Sequence, residues 1–485
     1  MAPRIGVGLT TIDLASWEAD PAHRRRAWTA LCVAAASIFL FVLDTGLLSV
    51  ALPSIEKEFS ETPRSIVAWT ATGFLVTLAS LLLIGGRLSD ARGRKRFYLF
   101  GVLLFGFGSL CTSLAPTVPM LITSRVIGGA GAAFLTSSAL ALVMPEFPLQ
   151  KRGMMIGWWG SLGSTAAIVA PTGGALLTEH ISWRLPFGLI APMSVAVFVV
   201  GKRVLVEQTD EPSSAAIDPV SVIVGPMALG LLVLGVSQGG RWGWGSSSTV
   251  GAIASSAILL VVFVRRCGRV ANPLLDLSIF AFPQFRLNIV GSGLQQVGFF
   301  AWYVTTPLIL KTVWGWSTFE TGVGMAVGQV AASFSAPFGG RWSDRVGTTL
   351  PIVTSAILAA SGPMWFAVTA SQSPHFLTTF LPASVLMGMG GGICGTLTTS
   401  AALYDLPGAT LGAANSVNQL IRRVCGVIGV AAAVALLGEA KGQALLTPAR
   451  RVWVMVSLAH LVMCVPYIVR RRARSVQRPA IGQSV

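Results

Sequence analysis

Four ionisable side chains lie well inside long apolar stretches of this sequence: Asp44, Arg125, Arg422 and Arg423. A charged side chain at the centre of a membrane-spanning helix costs about 2.5–3.5 kcal/mol on insertion scales, so such residues usually pair or serve a function. A carboxylate in this setting can take up and release a proton, and a nearby arginine changes how readily it does so. These residue types point to proton transfer within a membrane, with Asp44 as the proton carrier.

Asp44 and Arg125 lie at a similar predicted depth. Asp44 precedes Pro53 by nine residues, and Arg125 follows Pro119 by six. At 1.5 Å per residue, these positions are roughly 13 and 9 Å from the outer ends of their helices. We predict that the two residues couple proton binding to transport; the alternative is a neutral pair that only holds two helices together. No acidic partner is evident for the other two arginines, and their role stays open.

A nine-residue pattern occurs twice, as GGRLSDARG at 85–93 and GGRWSDRVG at 339–347. Glycines permit a tight turn between two helices. Asp90 can interact favourably with a helix N-terminus, and Arg92 or Arg94 can pair with carboxylates. The pattern therefore predicts a structured connection at two equivalent places; the alternative is simple anchoring of the chain by basic residues.

These residues must be positioned by membrane helices, because the chain is too apolar for a soluble protein. Its 485 residues are 53% hydrophobic and 11% charged, with a mean hydropathy of +0.71, whereas soluble proteins are about 25% charged. Backbone polar groups cannot stay unpaired in lipid, so the apolar segments should be helices. Fourteen spans are predicted: 27–53, 66–86, 97–116, 119–144, 153–178, 186–206, 217–236, 248–264, 285–310, 320–339, 349–370, 376–401, 410–437 and 452–470.

The net charge of +16 comes from short basic clusters between the spans, such as 23–26, 92–96 and 470–474. Such clusters stay on the cytoplasmic side during insertion, so they indicate orientation and not nucleic-acid binding. An even number of spans then places both termini in the cytoplasm. The first span follows basic residues and lacks a small-residue cleavage site, so we expect it to be retained.

The repeated pattern follows the second span of two six-helix sets, as in transporters built from parallel repeats with a solute site between the halves. We therefore predict an all-α integral membrane protein with two six-helix halves and two inserted helices. The predicted organisation is 1–26, N-terminal segment; 27–206, first half; 207–284, linker with the two extra helices; 285–470, second half; and 471–485, basic tail.

A series of motifs, in order along nearly the whole chain, resembles those of the major facilitator superfamily and in particular its 14-spanning drug:proton antiporters. The motifs are 43–53 (LDTGLLSVALP), 86–95 (GRLSDARGRK), 125–131 (RVIGGAG), 171–174 (PTGG) with Trp183-Arg184, 313–322 (VWGWSTFETG) and 418–429 (NQLIRRVCGVIG). The resemblance implies export of hydrophobic or cationic small molecules in exchange for protons, by alternating access.

The resemblance also implies a conformational gate in the repeated pattern, which in the family latches one transport state. Pro171 and Gly174 suit a bend in the fifth helix that lets its neighbours rock, although small residues there could simply permit close packing. The predicted gating residues are Gly86, Asp90, Arg92, Gly93, Arg94, Gly340, Asp344, Gly347, Pro171 and Gly174.

Polar side chains in the spans of the second half are the candidates for a solute cavity, because such groups usually face a bundle interior. These are Gln295, Gln296, Tyr303, Gln329, Asn415 and Asn418. Aromatic residues near helix ends usually form interfacial belts. We therefore expect Phe299, Phe300 and Trp302 to lie in a belt and not in the solute site.

Several other classes of function have no support. The glycine pattern at 390–395 lies in a predicted membrane helix, no Walker motif is present, and the six cysteines and four histidines show no metal-ligand spacing. We expect free, packed thiols, no enzymatic activity, no cofactor, and a proton gradient as the energy source.

We predict a functional monomer with a small-molecule solute, protons and the lipid bilayer as its partners. The resemblance implies that this bilayer is a bacterial cytoplasmic membrane. Two alternatives stay open. One is a dedicated exporter of a single metabolite, such as the cell's own antibiotic or siderophore; the other is a membrane sensor or scaffold that transports nothing. An uptake symporter on the same fold is disfavoured by the 14-helix layout and the Pro171 region.

Overall fold

The computed structural model describes residues 14–67, 69–207, 218–270, 272–275, 277–403, 411–438, 440, 442–465 and 467–468. Most of these residues are helical. The long helices are α1 Pro21–Glu58, α2 Trp69–Arg92, α3 Arg94–Ser113, α4 Val118–Val143, α5 Arg152–His180, α6 Arg184–Val204, α7 Pro219–Trp242, α8 Ser247–Cys267, α9 Pro283–Thr312, α10 Thr318–Val346, α11 Thr349–Thr369, α12 Leu381–Leu403, α13 Leu411–Leu437 and α14 Leu446–Val462. The basic tail 471–485, residues 1–13 and residues 208–217 lie outside the described residues.

Each predicted span corresponds to one of these helices, and the all-α membrane fold is confirmed. Ten described helices are long and apolar enough to cross a bilayer, judged by length and composition. The largest differences are at helix ends. Helix α1 begins at Pro21, inside the segment predicted to precede the first span, and α14 begins at Leu446, six residues before the predicted start at 452.

Helix α1 begins early because its first turn is well capped. The Asp20 carboxylate accepts hydrogen bonds from the backbone N–H groups of Ala22 and His23, at 2.9 and 3.0 Å, and Pro21 occupies the first helical position. Helix α10 begins with a reciprocal capping box between Ser317 and Glu320. Local side chains therefore fix both starts without help from the rest of the fold.

The repeated pattern is mostly helical and not a loop. Helix α2 runs to Arg92 and α10 runs to Val346, so only the final glycine of each copy ends a helix. Gly93 has φ of 114° and Gly347 has φ of 82°, a backbone region that strongly favours glycine. The expected tight turn thus depends on these two glycines.

One end of the helix bundle, here called the basic end, carries the residues 24–26 and 94–96. The starts of α1 and α3 meet the ends of α4 and α6 there: His23 Nε2 lies 3.7 Å from Glu146 Oε2, and Lys95 Nζ donates to the Leu205 carbonyl at 2.6 Å. At the opposite end, Trp183 Nε1 and Arg184 donate to Glu58, and these hydrogen bonds hold the pKa of Glu58 below its ordinary value.

The inserted helices α7 and α8 pack against each other, and α7 also packs against α2 and α13. Arg266 at the end of α8 donates to Asp218 before α7 at 2.8 Å, and this hydrogen bond lowers the pKa of Asp218 to about 2. The extra pair therefore lies on the outside of the two six-helix sets, beside one helix of each.

Candidate functional site

Asp44 on α1 and Arg125 on α4 form an ion pair in the interior of the first half. Arg125 Nη1 donates to both carboxylate oxygens of Asp44, at 2.9 and 2.8 Å. Asp44 is 0% exposed and Arg125 is 2% exposed. The sequence predicted a similar depth for these two residues, and the structure places them in direct contact. Their proposed role in proton coupling stays a prediction.

Three further side chains complete this site. The Ser109 hydroxyl on α3 donates to Asp44 Oδ1 at 3.2 Å. The Arg125 guanidinium carbon lies 4.5 Å from the ring centre of Phe74 and 5.8 Å from that of Phe187. These aromatic faces stabilise the cation and exclude water. Sequence reasoning missed all three, because an ordinary serine or phenylalanine in an apolar helix carries no distinguishing signal.

Helices α1 and α5 pack very closely beside the pair. A Cβ at Gly46 would lie 2.5 Å from the Ala170 side chain, and one at Gly174 would overlap the Leu47 side chain. Helix α5 continues through Pro171 without interruption from Arg152 to His180. The structure thus gives Gly174 a packing role between α1 and α5, which was one of the two interpretations of this motif.

In the first copy of the repeated pattern, Asp90 pairs with Arg94 within the same half. Arg94 Nε and Nη2 both lie 2.9 Å from Asp90 Oδ1, and both side chains are buried. Arg94 Nη1 also donates to the Ala141 carbonyl on α4 at 3.3 Å. Arg92 or Arg94 was expected to pair with a carboxylate. Arg94 pairs with Asp90, whereas Arg92 is exposed.

The turn at Gly93 is covered by the segment after α6. Glu207 accepts a hydrogen bond from the backbone N–H of Lys95 at 3.0 Å. A Cβ at Gly93 would lie 2.9 Å from the Glu207 carboxylate. Gly93 is thus required both by its backbone angle and by this contact.

In the second copy, the Asp344 carboxylate is hydrogen-bonded to the other half. Its Oδ1 accepts from the Gly153 N–H at 3.0 Å and its Oδ2 from the Met154 N–H at 2.9 Å, so the carboxylate caps the start of α5. A Cβ at Gly340 would overlap the Gly153 carbonyl oxygen. The helix-terminus interaction expected of Asp90 is thus made in this structure by Asp344.

Asn415 also joins the halves. Its side-chain Nδ2 donates to the carbonyls of Thr136 and Ser137 on α4, at 3.0 Å each. Asn415 was predicted as a cavity residue, but the structure places it, fully buried, in this contact. Asn418, one turn along α13, is also fully buried, and neither polar atom of its side chain has a partner among the described residues.

The remaining cavity candidates form two groups. Gln295 and Gln296 face Arg422. Tyr303 and Gln329 are hydrogen-bonded to each other and border a small internal cavity, together with Phe299 and Trp302. The expectation of an interfacial belt is wrong for Trp302, which is only 3% exposed; Phe299 and Trp302 instead line the interior.

The cysteines are free thiols as expected, but Cys32 is exposed and not packed. The 390–395 glycine pattern lies inside α12, where Gly390 and Gly392 permit close contact with Ala359 and Ala332. This pattern therefore serves helix packing.

The sequence model of the Major Facilitator Superfamily matches residues 34–430, which is most of the chain and includes both copies of the repeated pattern. The chain belongs to the major facilitator superfamily. It is therefore a multi-pass membrane transporter, and the ion pair and the contacts between halves belong to a transport fold.

Curated relatives of this superfamily member include proteins named for antibiotic resistance and, in one case, for export. The tetracenomycin C resistance and export protein of Streptomyces glaucescens is 27% identical over 419 residues, covering 86% of this chain and 77% of the relative. The puromycin resistance protein of Streptomyces alboniger is 30% identical over 411 residues, covering 84% and 81%.

Among solved structures, the proton:xylose symporter XylE aligns with a TM-score of 0.64 at 14% identity, over 91% of this chain and 95% of that chain. This likeness supports the fold alone.

Proposed function

We propose that this chain exports drug-like small molecules from a bacterial cell in exchange for protons, by alternating access. The curated relatives named for antibiotic resistance and export support the direction of transport. The observation that carries proton coupling is the Asp44–Arg125 pair, a carboxylate with no solvent exposure held by one guanidinium.

Protonation of Asp44 would remove the charge that holds Arg125 in place. Arg125 would then be a buried cation whose remaining neighbours are aromatic rings and whose Nε has no partner among the described residues. Since an uncompensated buried charge is costly, the cation is driven towards a new anionic or hydrated environment. A small rearrangement of α1 against α4 would thus follow each proton that binds or leaves.

Alternating access also requires contacts that can break between the halves. The contacts of Asp344 with α5 and of Asn415 with α4 lie at the basic end. They support a conformation whose solute path is closed at the basic end and directed to the opposite one. With both termini in the cytoplasm of a monomeric protein, this conformation faces outward. No cofactor is needed, because one proton supplies about 2.3 kcal/mol per 100 mV.

The test is gradient-driven transport of three fluorescent dyes in everted membrane vesicles: neutral Nile red, cationic ethidium and anionic fluorescein. We expect uptake of at least one dye by the wild type, its loss when the proton gradient is collapsed, and its loss in Asp44→Asn. Asp218→Asn is the matched control, because Asp218 also pairs with an arginine but lies outside the apolar spans. This variant should transport normally.

Two outcomes would contradict the proposal. Full gradient-driven transport by Asp44→Asn would exclude Asp44 as the proton carrier. Failure of the wild type with all three dyes would exclude a broad drug exporter and favour the dedicated exporter of one metabolite.

A further inference from the structure

Two arginines on α13 remain without a role in the mechanism above. Arg422 and Arg423 lie eleven and twelve residues into a helix of 27 residues, close to its middle. Neither forms a salt bridge with a carboxylate in the part of the chain that the structure describes. Two neighbouring cations at this depth are costly unless another group neutralises them. The surroundings of the two arginines indicate which kind of group that is.

Among the described residues, the acceptors that Arg422 contacts are neutral. Its Nη1 lies 3.4 Å from Gln295 Oε1 and its Nη2 lies 3.3 Å from Gln296 Oε1, both long for hydrogen bonds from a charged donor. The two glutamines are 2% and 7% exposed, so they are held inside the protein. These amides orient the guanidinium, but they cannot cancel its charge.

The residue of α12 that faces Arg422 is Gly395, and a Cβ there would lie 3.9 Å from Arg422 Nη2 and 3.8 Å from Gln295 Nε2, at ordinary contact distance. Gly395 therefore places no side chain of α12 against the guanidinium.

Arg423 reaches across to the first half. Its guanidinium carbon lies 4.7 Å from the ring centre of Phe41 on α1. Phe41 stacks on Phe74, with ring centres 6.2 Å apart, and the Arg125 guanidinium lies over the Phe74 ring. Two stacked rings thus separate Arg423 from the proton-binding pair, and α13 contacts that pair's surroundings directly.

The charges in this interior do not balance. Among the described residues, Asp44 pairs with Arg125, and no carboxylate pairs with Arg422 or Arg423. Asp44 loses its charge when it binds a proton. An anionic group entering between the halves would compensate the excess, whereas a cation would add to it. The same face of α9 presents Phe299 and Tyr303 one and two turns beyond the glutamines, with ring centres 4.7 Å apart, which provides an aromatic surface next to the cations.

We propose that Arg422 and Arg423 bind the acidic group of the solute, and that the exported molecule is an aromatic or polycyclic acid. This inference rests on the proposed export function and narrows its substrate class. The rings of the solute lie against Phe299 and Tyr303, and its carboxylate, sulfonate or phenolate lies between the two guanidinium groups. A solute bound there also contacts the Arg423 side chain, which lies over the Phe41 ring. This contact links solute binding to the Asp44 site.

The test uses three compounds that share one ring system and differ in charge: 9-anthracenecarboxylate, 9-anthracenecarboxamide and 9-(aminomethyl)anthracene. Binding to the purified full-length protein is measured by equilibrium dialysis, with empty detergent micelles subtracted. We expect the acid to bind about tenfold more tightly than the amide, because charge-assisted hydrogen bonds replace neutral ones.

Arg422→Gln and Arg423→Gln should each abolish this preference while the amide binds as before. Arg265→Gln is the matched control, since Arg265 is exposed near the end of α8, and it should retain the preference. Gln296→Glu gives a second, independent variant: it places a carboxylate next to Arg422, so it should raise the thermal stability of the protein and abolish binding of the acid.

Equal or tighter binding of the amide or amine would overturn the inference, as would no binding of the acid below about 1 mM. Retention of the preference in both Arg→Gln variants, or in Gln296→Glu, would also overturn it. This assay needs no proton gradient. If the acid does not bind but the dyes are transported under a proton gradient, only the anionic substrate class is rejected. If the acid binds but no dye is transported, only the broad drug exporter is rejected.

Discussion

At the scale of single residues, the Asp44–Arg125 pair is costly to keep for stability alone. Replacement of a buried ion pair by apolar residues is often neutral or stabilising, whereas removal of one partner leaves an uncompensated charge. The pair is enclosed by Phe74, Phe187 and Ser109, and water has little access to it. The proposed change in the charge of Asp44 during transport would give a reason to retain such a pair.

This asymmetry gives a stability prediction. Arg125→Gln should destabilise the protein by about 3–5 kcal/mol, because ionised Asp44 is left buried without its partner. The double variant Asp44→Asn/Arg125→Gln should recover much of that loss, since neither charge remains, and yet should not couple transport to protons. Thermal unfolding of the purified proteins measures the first effect, and the dye assay measures the second. A double variant as unstable as Arg125→Gln would contradict this account.

At the scale of helices, the contact between α5 and α10 is the main candidate for a gate. The two helices approach so closely that Gly340 faces the Gly153 backbone, and a Cβ at Gly157 would lie 2.7 Å from the Ala336 carbonyl oxygen. Small residues permit such an approach, and Asp344 adds a charged cap to the start of α5. The first copy of the pattern keeps its aspartate within one half, so the two copies contribute differently to the closed conformation.

Gly340→Ala should therefore shift the protein away from the conformation that is closed at the basic end. Gly322→Ala on the same helix is the control, because a Cβ at Gly322 meets nothing within 4 Å. The measurement is the distance distribution between spin labels at positions 96 and 345, which are exposed at the basic end on opposite halves. We expect a longer-distance population in Gly340→Ala only. Identical distributions in wild type and both variants would exclude α5–α10 contact as the element that closes this end.

At the scale of the whole molecule, the fourteen long helices place the basic end and the turn between α7 and α8 on opposite sides of the membrane. The basic clusters favour the cytoplasm for the basic end. The described contacts of Asp344 and Asn415 join the halves towards that end. If the basic end is cytoplasmic, these contacts close the cytoplasmic side.

Labelling of single cysteines tests the orientation. In a variant whose six native cysteines are replaced, Trp244→Cys should react with a membrane-impermeant maleimide in intact cells. Arg96→Cys should react only in everted vesicles, and both positions are exposed. The reverse pattern would show that the basic end lies outside the cytoplasm and that the contacts of Asp344 and Asn415 close the outer side.

The sequence by itself determined the number of helices, the duplicated pattern, the superfamily and the similar depth of Asp44 and Arg125. Hydropathy and short motifs are local properties, and a regular rise per residue converts position in a helix into depth. The rotation of one helix relative to another is not local. Only the tertiary structure therefore decided that Asp344, not Asp90, caps a helix of the other half, and that Asn415 also joins the halves. It likewise decided that Trp302 points inward. The neutral neighbours of Arg422 and the aromatic neighbour of Arg423 were also visible only there. These outcomes depend on which faces of distant helices meet, and no pattern within a single helix specifies that.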